Sequence, residues 1–232
     1  MTASRTALRI LAPRSPGAPA SGLRRAALVA LMPRLLRQNH VVDLLELLDG
    51  EGAPGAGADA RKIVDALRRR PTTCLYRSLA GFASLRAAGE PVRLVVGVRV
   101  DKGEVVAHAW LEKNGEPVAE PTDPRPRFAE AFSYPPEGSV ATSPSSRDVI
   151  LTELKDGTGV LLDLRSKFYF TLNDTGVAVW KLLAAGEAHE PRALAERIAR
   201  QFAAPSIEAV EADVKALLEE LEAEGLLQEE KR

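Results

Sequence analysis

The sequence is poor in cysteine, because Cys74 is the only one among 232 residues. An internal disulfide is therefore excluded, and so is a metal site built from several cysteines. A chain without disulfides suits a reducing compartment, so we expect a cytoplasmic protein. No apolar run approaches the roughly 18 residues of a membrane-spanning helix. We predict neither a membrane span nor a cofactor.

Acidic residues are missing from the start of the chain, where residues 1–42 contain seven Arg and no Asp or Glu. The short apolar run Ala26–Met32 leads into Pro33-Arg34 without a small-residue cleavage pattern, so a targeting peptide is not favoured. We expect residues 1–20 to form a disordered tail. The formal net charge of −1 gives no reason to expect nucleic acid as a partner.

A stretch rich in proline and serine separates two parts of the sequence. Residues 133–147 read SYPPEGSVATSPSSR, and this composition is typical of a linker. We therefore predict two domains, which comprise residues 21–132 and 148–232.

The single cysteine lies at a predicted helix start. Thr73 is a suitable N-cap, and an amphipathic segment follows until Gly89 and Pro91 end it. In the first turn of a helix, free N–H groups and the positive end of the dipole favour the thiolate form of Cys74. The alternative is a buried and inert thiol, since free cysteine is often buried.

A histidine on a predicted strand is the candidate partner of the thiol. Val92–Val100 and Val105–Glu112 are predicted as consecutive strands, and the second one contains His108. A lone strand histidine is usually structural, but the small neighbours Ala107 and Ala109 leave room for a substrate chain. An imidazole within hydrogen-bond reach of a thiolate is the minimum for nucleophilic cysteine catalysis.

The turn after this strand decides which carboxylate can orient the imidazole. A two-residue loop at Asn114-Gly115 pairs Lys113 with Glu116. In that register Glu120 points away from His108, and Asp123 is the favoured carboxylate.

A three-residue loop is the alternative. It places Lys113–Gly115 in the turn, forms a bulged hairpin and pairs Glu112 with Glu116. His108 then lies directly opposite Glu120. Pairing two glutamates is unfavourable by at most about 1 kcal/mol, so both registers stay open. We prefer Glu120 as the orienting group, with Asp123 as the alternative.

These segments resemble a known family. Cys74–Leu79, Gly89–Val98 and His108–Val118 are similar to the lasso peptide leader peptidases, which are transglutaminase-like cysteine proteases. The resemblance covers roughly residues 20–132. It implies a papain-like fold, a Cys74 nucleophile, a His108 base and a third member, typically Asp, near Glu120. It also implies a separate ATP-dependent macrolactam synthetase as a partner, which acts on the freed core peptide.

The second predicted domain combines short strands with three helices. Turns at Asp156-Gly157 and Arg165-Ser166 delimit the strands, and helix caps delimit the helices. This order suggests a winged helix. The predicted strands are Asp148–Lys155, Gly159–Leu164 and Lys167–Leu172, and the predicted helices are Asp174–Ala184, Pro191–Phe202 and Ile207–Ala223.

This domain resembles peptide-recognition domains of the PQQ-chaperone type in Leu161–Leu164, Leu172–Gly176 and Leu218–Leu227. The resemblance implies that a leader peptide pairs with the third strand and packs against the third helix. Alternation allows only one side of that strand to face the core, so either Tyr169 or its phenylalanine neighbours should meet a ligand. The candidate peptide-binding residues are Lys167, Phe168, Tyr169, Phe170, Thr171, Val210, Asp213, Val214 and Leu217.

The sequence therefore predicts an α+β chain in which a transglutaminase/papain-like cysteine peptidase domain precedes a winged-helix-like peptide-binding domain. The expected function is removal of the leader from a precursor peptide during lasso peptide maturation. A non-catalytic leader-binding adapter is one alternative. Acyl transfer to an amine instead of water is a further, weaker alternative for the cysteine centre.

A DNA-binding winged helix is the remaining alternative, and the charge of the last predicted helix argues against it. From Ile207 to the end, the chain has nine acidic residues, and only Lys215, Lys231 and Arg232 are basic. Contacts to DNA phosphates need Lys and Arg. An acidic helix would be repelled by phosphates, so a peptide is the expected ligand of this domain.

Overall fold

The computed structural model describes residues 32–37, 40–49, 62, 64–67, 69, 72–136, 149–186, 190–204 and 206–227. The predicted tail 1–20 and most of the predicted linker lie outside these residues. The chain divides into two compact units, one largely before and one largely after the boundary at Ser139 and Val140. Each unit is described by itself.

The first unit combines helices with a four-stranded sheet. Its strands follow the spatial order β3-β2-β1-β4, and the pairs β1–β4 and β2–β3 are antiparallel. The expected mixture of helix and sheet is therefore confirmed. The elements are α1 (Val41–Leu48), α2 (Cys74–Arg86), β1 (Val92–Asp101), β2 (Glu104–Lys113), β3 (Glu116–Val118) and β4 (Ala129–Tyr134).

Helix α2 begins at Cys74, where the sequence predicts it. The Thr73 side chain accepts a hydrogen bond from the Tyr76 N–H at 3.3 Å, which satisfies one of the free donors of the first turn. A second hydrogen bond joins the helix to β2. The Ser78 hydroxyl donates to the Ala109 carbonyl at 2.8 Å. This bond fixes the position of the first turns of α2 relative to β2, the strand that carries His108.

The β2–β3 connection is the two-residue turn, which settles the register that the sequence leaves open and excludes the bulged hairpin. Lys113 pairs with Glu116, and both Asn114 (φ 53°) and Gly115 (φ 76°) are left-handed. Asn-Gly favours this kind of turn because both residues tolerate positive φ. The alternative register would also have placed two glutamates opposite each other.

Strand β4 reaches further than the sequence indicates. Ser133 and Tyr134, which the composition places at the start of the linker, pair with Val95 and Leu94 of β1. Ser133 is also buried, at 2% exposure. The composition of the segment obscures this strand end, because it is dominated by the prolines and serines after Tyr134.

The second unit contains the three strands and three helices expected from the sequence. The strands form an antiparallel sheet in the order β5-β6-β7. The winged-helix comparison stays a prediction. The elements are β5 (Val149–Glu153), β6 (Gly159–Asp163), β7 (Tyr169–Leu172), α3 (Asp174–Ala184), α4 (Pro191–Gln201) and α5 (Ile207–Ala223).

Strand β7 is shorter than predicted, because it begins at Tyr169 instead of Lys167. Lys167 has a φ of 65° and donates its N–H to the Asp163 carbonyl at 2.7 Å, so it ends a tight hairpin loop. The Asp163 N–H in turn donates to the Phe168 carbonyl at 3.1 Å. The loop therefore consists of residues 164–167, and the strand follows it.

Candidate active site and peptide-binding edge

Cys74 occupies the first position of α2 and is half-buried. Burial by itself raises the pKa of the Cys74 thiol. A hydrogen bond with His108, backbone hydrogen bonds at Ala109 and Leu75 and the nearby positive charge outweigh this effect, so the net pKa lies below the ordinary value. The local environment therefore favours the thiolate, chiefly through His108, while the helix start at Leu75 makes the smallest of these contributions.

His108 lies between the thiol and a carboxylate. Its Nε2 atom is 3.0 Å from Oε2 of Glu120, which leaves Nδ1 as the ring nitrogen for Cys74. Hydrogen bonds with Cys74 and then with Glu120 raise the pKa of His108 to about 9, against the opposing effect of burial. A lowered thiol pKa and a raised imidazole pKa both favour transfer of the thiol proton to the imidazole.

Glu120 reaches His108 although the turn that should favour it is absent. Strand β3 ends at Val118, and Ala119 is left-handed with a φ of 62°. The chain therefore leaves the regular strand path before Glu120, and strict alternation no longer determines where this side chain points. The sequence argument takes the strand to continue through Glu120, so it links the Glu120–His108 contact to the bulged register, which the structure does not have.

Asp123 does not contact His108. Its carboxylate accepts hydrogen bonds from the Arg125 backbone N–H at 3.0 Å and from the Arg125 guanidinium at 2.7–3.0 Å. These bonds, above all that from the Arg125 side chain, keep the pKa of the exposed Asp123 carboxyl below its ordinary value. Among the described residues, the geometry thus groups Cys74 and His108 with Glu120.

Two aromatic rings flank the imidazole, and sequence reasoning missed both. The Trp110 ring is stacked on His108 with centroids 6.0 Å apart, and the Phe128 ring lies at 5.6 Å on a tilt of 33°. Trp110 follows His108 by two residues, so strand alternation could have placed it on the same face. Phe128 comes from a loop, and no local pattern identifies it.

Strand β7 is an edge of the second sheet. Within the described residues, no strand pairs with its outer side. The Asp163 N–H donates to the Phe168 carbonyl, and bonded pairs alternate with non-bonded pairs in an antiparallel ladder. Phe170 and Leu172 therefore bond to β6, whereas the N–H groups of Tyr169 and Thr171 point to the outer edge.

The predicted peptide-binding side chains of this edge divide into two groups. Phe168 is 67% exposed, and Thr171 is also exposed. Phe170 packs against the hydrophobic core instead, and Tyr169 is half-buried. Strand alternation would place the two phenylalanines on the same face of the sheet. Phe168 lies before the start of β7, however, and its side chain is exposed instead of packing in the core.

A cavity of about 240 Å³ lies among helices α3, α4 and α5 of the same unit. The helix residues predicted to bind peptide all line it. Val214 is buried in the core as well, at 3% exposure, while Asp213 is exposed. The lining includes Asn173, Thr175, Phe202, Val210, Asp213, Val214 and Leu217.

Comparisons with known proteins agree with the division of the chain into two units. Residues 3–133 match the model of the transglutaminase-like superfamily, and the chain belongs to this superfamily. Residues 158–227 match the model of coenzyme PQQ synthesis protein D, PqqD. The chain therefore has an N-terminal transglutaminase-like domain and a C-terminal PqqD domain, which is a recognition element of ribosomally made, modified peptides. This pairing supports a role in the maturation of such peptides.

One solved structure is similar to 38% of the chain. It is "TbiB1 in Complex with the TbiA(beta) Leader Peptide", which is 28% identical over 38% of this chain and 96% of that chain, with a TM-score of 0.33. A comparison with curated proteins gives no match. Among the described residues, no helix is long and apolar enough to cross a membrane, and no cluster of side chains could hold a metal ion.

Proposed function

We propose that the chain is a cysteine endopeptidase that removes the leader from a ribosomally made precursor, in the maturation of a lasso peptide. The observation that carries this proposal is the grouping of Cys74, His108 and Glu120 at the start of a helix in a transglutaminase-like domain. The PqqD domain supplies the means to hold the leader. The resemblance of the first domain to lasso leader peptidases supports the substrate class.

The three side chains can perform peptide hydrolysis in two steps. The Cys74 thiolate attacks the scissile carbonyl, and the C–N bond breaks when the His108 imidazolium gives its proton to the leaving amine. A thioester to Cys74 remains. His108, now neutral, takes a proton from water while the hydroxide equivalent attacks the thioester carbonyl. The C–S bond then breaks, which releases the carboxylic acid product and restores the Cys74 thiolate beside protonated His108.

Glu120 has a positioning and electrostatic role in both steps. Its bond to Nε2 holds the ring so that Nδ1 faces the sulfur, and its charge stabilises the imidazolium. The backbone N–H of Cys74, the first helical residue, has no acceptor within the helix. We propose that it donates to the oxyanion of the tetrahedral intermediate.

Leader recognition is assigned to the outer edge of β7. The main-chain N–H of Thr171 on that edge can pair with an extended peptide, which gives affinity independent of side chains. Side-chain selectivity then comes from the cavity beside α5, where Val210 and Leu217 offer apolar surface and Asp213 offers a negative charge. We further propose that the freed core peptide passes to a separate ATP-dependent macrolactam synthetase.

The proposal is tested by searching the reading frames beside the gene for a short precursor and incubating that peptide with the chain. We expect the full chain to release the leader, as followed by mass spectrometry, and Cys74→Ala and His108→Ala to abolish cleavage. Both variants should still bind fluorescently labelled leader with unchanged anisotropy curves. Binding without cleavage by the unaltered chain would instead identify a leader-binding adapter. Cleavage by Cys74→Ala near the unaltered rate would exclude the proposed nucleophile.

A further inference from the structure

His108 needs one particular ring orientation, and its own side chain does not supply it. The proposed chemistry requires Nδ1 at the sulfur and Nε2 at Glu120 at the same time. Rotation about the last bond of a histidine side chain is broad and roughly two-fold, so the ring can turn away from this arrangement. A side chain packed against the ring restricts this rotation.

Trp110 and Phe128 pack beside the His108 ring. Their ring centroids lie 6.0 Å and 5.6 Å from the centroid of His108. Trp110 is nearly parallel to the imidazole, with 17° between the planes, and is 2% exposed. An aromatic face at this distance also attracts a cation, so it favours the imidazolium over the neutral ring.

Trp110 is hydrogen-bonded to a buried carboxylate, which in turn pairs with the half-buried Arg93. Its indole Nε1–H donates to Oε1 of Glu112 at 2.8 Å, and Glu112 is 4% exposed. The other carboxylate oxygen accepts from Nε of Arg93 at 3.0 Å and from Nη2 at 2.8 Å. Arg93 also donates to Glu130 and Ser133. A buried carboxylate is stable only with such partners, so the indole has a fixed acceptor.

Gly97 of β1 lies beneath both aromatic residues. A Cβ atom at this position would lie 2.8 Å from Cη2 and Cζ3 of Trp110 and 2.8 Å from Cβ of Phe128. Real Cβ atoms do not approach other atoms so closely. The absence of a side chain at residue 97 is therefore what lets the two rings occupy their places beside His108.

We propose that Trp110 and Phe128, seated on Gly97 and tied to Glu112 through the indole N–H, form an aromatic slot that fixes the ring orientation of His108. The inference rests on the proposed Cys74–His108 centre. In this role Trp110 and Phe128 are positioning residues, which act through His108 and need no contact with the substrate.

The single cysteine provides a direct readout that needs no substrate. Alkylation of Cys74 by iodoacetamide follows the thiolate population, and no other thiol competes. We expect the rate at pH 6 to fall about tenfold in Trp110→Leu and by a smaller factor in Trp110→Phe, which keeps an aromatic face but loses the indole N–H. The pH of half-maximal alkylation should rise in the same order.

Gly97→Ala extends the test without altering any ring that touches His108. The added methyl group should displace Trp110 and Phe128 and lower the rate at pH 6. Gly81→Ala is the matched control, because its Cβ would lie 2.8 Å from Leu111 Cδ1, outside the slot. Trp180→Phe, which removes the other tryptophan, is the control for Trp110→Phe.

The outcomes distinguish a failure of the aromatic slot from a failure of the Cys74–His108 centre. If the pH dependence of alkylation is that of an ordinary thiol both in the unaltered chain and in His108→Ala, the proposed Cys74–His108 centre is wrong. If the unaltered chain alkylates at low pH and the Trp110 and Gly97 variants do so equally well, the slot is overturned. An equal effect of Gly97→Ala and Gly81→Ala would also overturn it, since both would then act by general loosening of the unit.

Discussion

Glu120 bonds His108 from outside the regular strand pairing, with 3.0 Å between Oε2 and Nε2, although β3 ends two residues earlier at Val118. The left-handed Ala119 makes this approach possible. The carboxylate is thus positioned by a loop. A substitution of Glu120 can therefore test its contribution to catalysis without disturbing the strand pairing of the sheet.

Glu120→Gln should reduce kcat for leader removal by a factor on the order of 10²–10⁴, because the ring loses its charged orienting partner. Asp123→Asn is the matched control. It alters an exposed ion pair with Arg125, so we expect less than about a fivefold change. Steady-state kinetics with the precursor decides between the two carboxylates. A larger loss in Asp123→Asn would show that Asp123 orients the ring in the working enzyme.

The dependence of cleavage on pH should be bell-shaped. Activity requires the Cys74 thiolate, whose pKa is lowered, so it should persist below the ordinary thiol pKa of about 8.5. It also requires protonated His108, whose pKa is raised to about 9, so activity should decline as the pH rises through that value. The profile of kcat/KM measures both limits. An acid limit near the ordinary thiol pKa in the unaltered chain would contradict the ion pair.

Thr171→Pro should weaken leader binding, because it removes an N–H group that points to the open edge of β7. Thr171→Ala keeps this N–H and changes only an exposed side chain, so its affinity should stay close to that of the unaltered chain. Fluorescence anisotropy with labelled leader compares the two. Equal affinities would show that strand addition at this edge is not the binding mode.

Asp163→Asn should loosen the hairpin that leads into β7. The buried carboxylate accepts from the Arg165 N–H at 2.9 Å and the Ser166 hydroxyl at 2.8 Å, so we expect a loss of about 1–3 kcal/mol. Burial raises the pKa of Asp163, but these bonds and Arg165 outweigh it and hold the pKa low. The stabilisation is therefore present above the unfolded-state pKa and is lost as the pH falls through the folded-state value.

Hydrogen exchange of the β6–β7 amides measures this effect. Asp156→Asn is the control, since Asp156 accepts similar bonds from Thr158 in the β5–β6 turn, away from β7. We expect faster exchange and weaker leader binding in the Asp163 variant only. The same exchange rates in both variants would show that the Asp163 carboxylate does not hold the hairpin.

The sequence predicts those parts of the site that depend on local chemistry. The Thr73 cap, the Cys74 helix start and the order of strands and helices all follow from neighbouring residues. Glu120 could not be derived in the same way, because a single left-handed residue at Ala119 breaks the alternation on which register arguments depend. Phe128 was missed for a related reason, since a loop brings it to His108 from twenty residues away.

The cavity beside α5 is lined in part by the side chains that form the hydrophobic core of its unit. Val179, Ile198 and Val214 belong to both. A substitution at one of these positions would change the folding stability together with the peptide preference. Adaptation to a new precursor through these residues would therefore tend to destabilise the unit. Asp213 also lines the cavity but is exposed and belongs to neither core cluster. Divergence of specificity should therefore accumulate at such exposed lining positions while the buried lining stays unchanged.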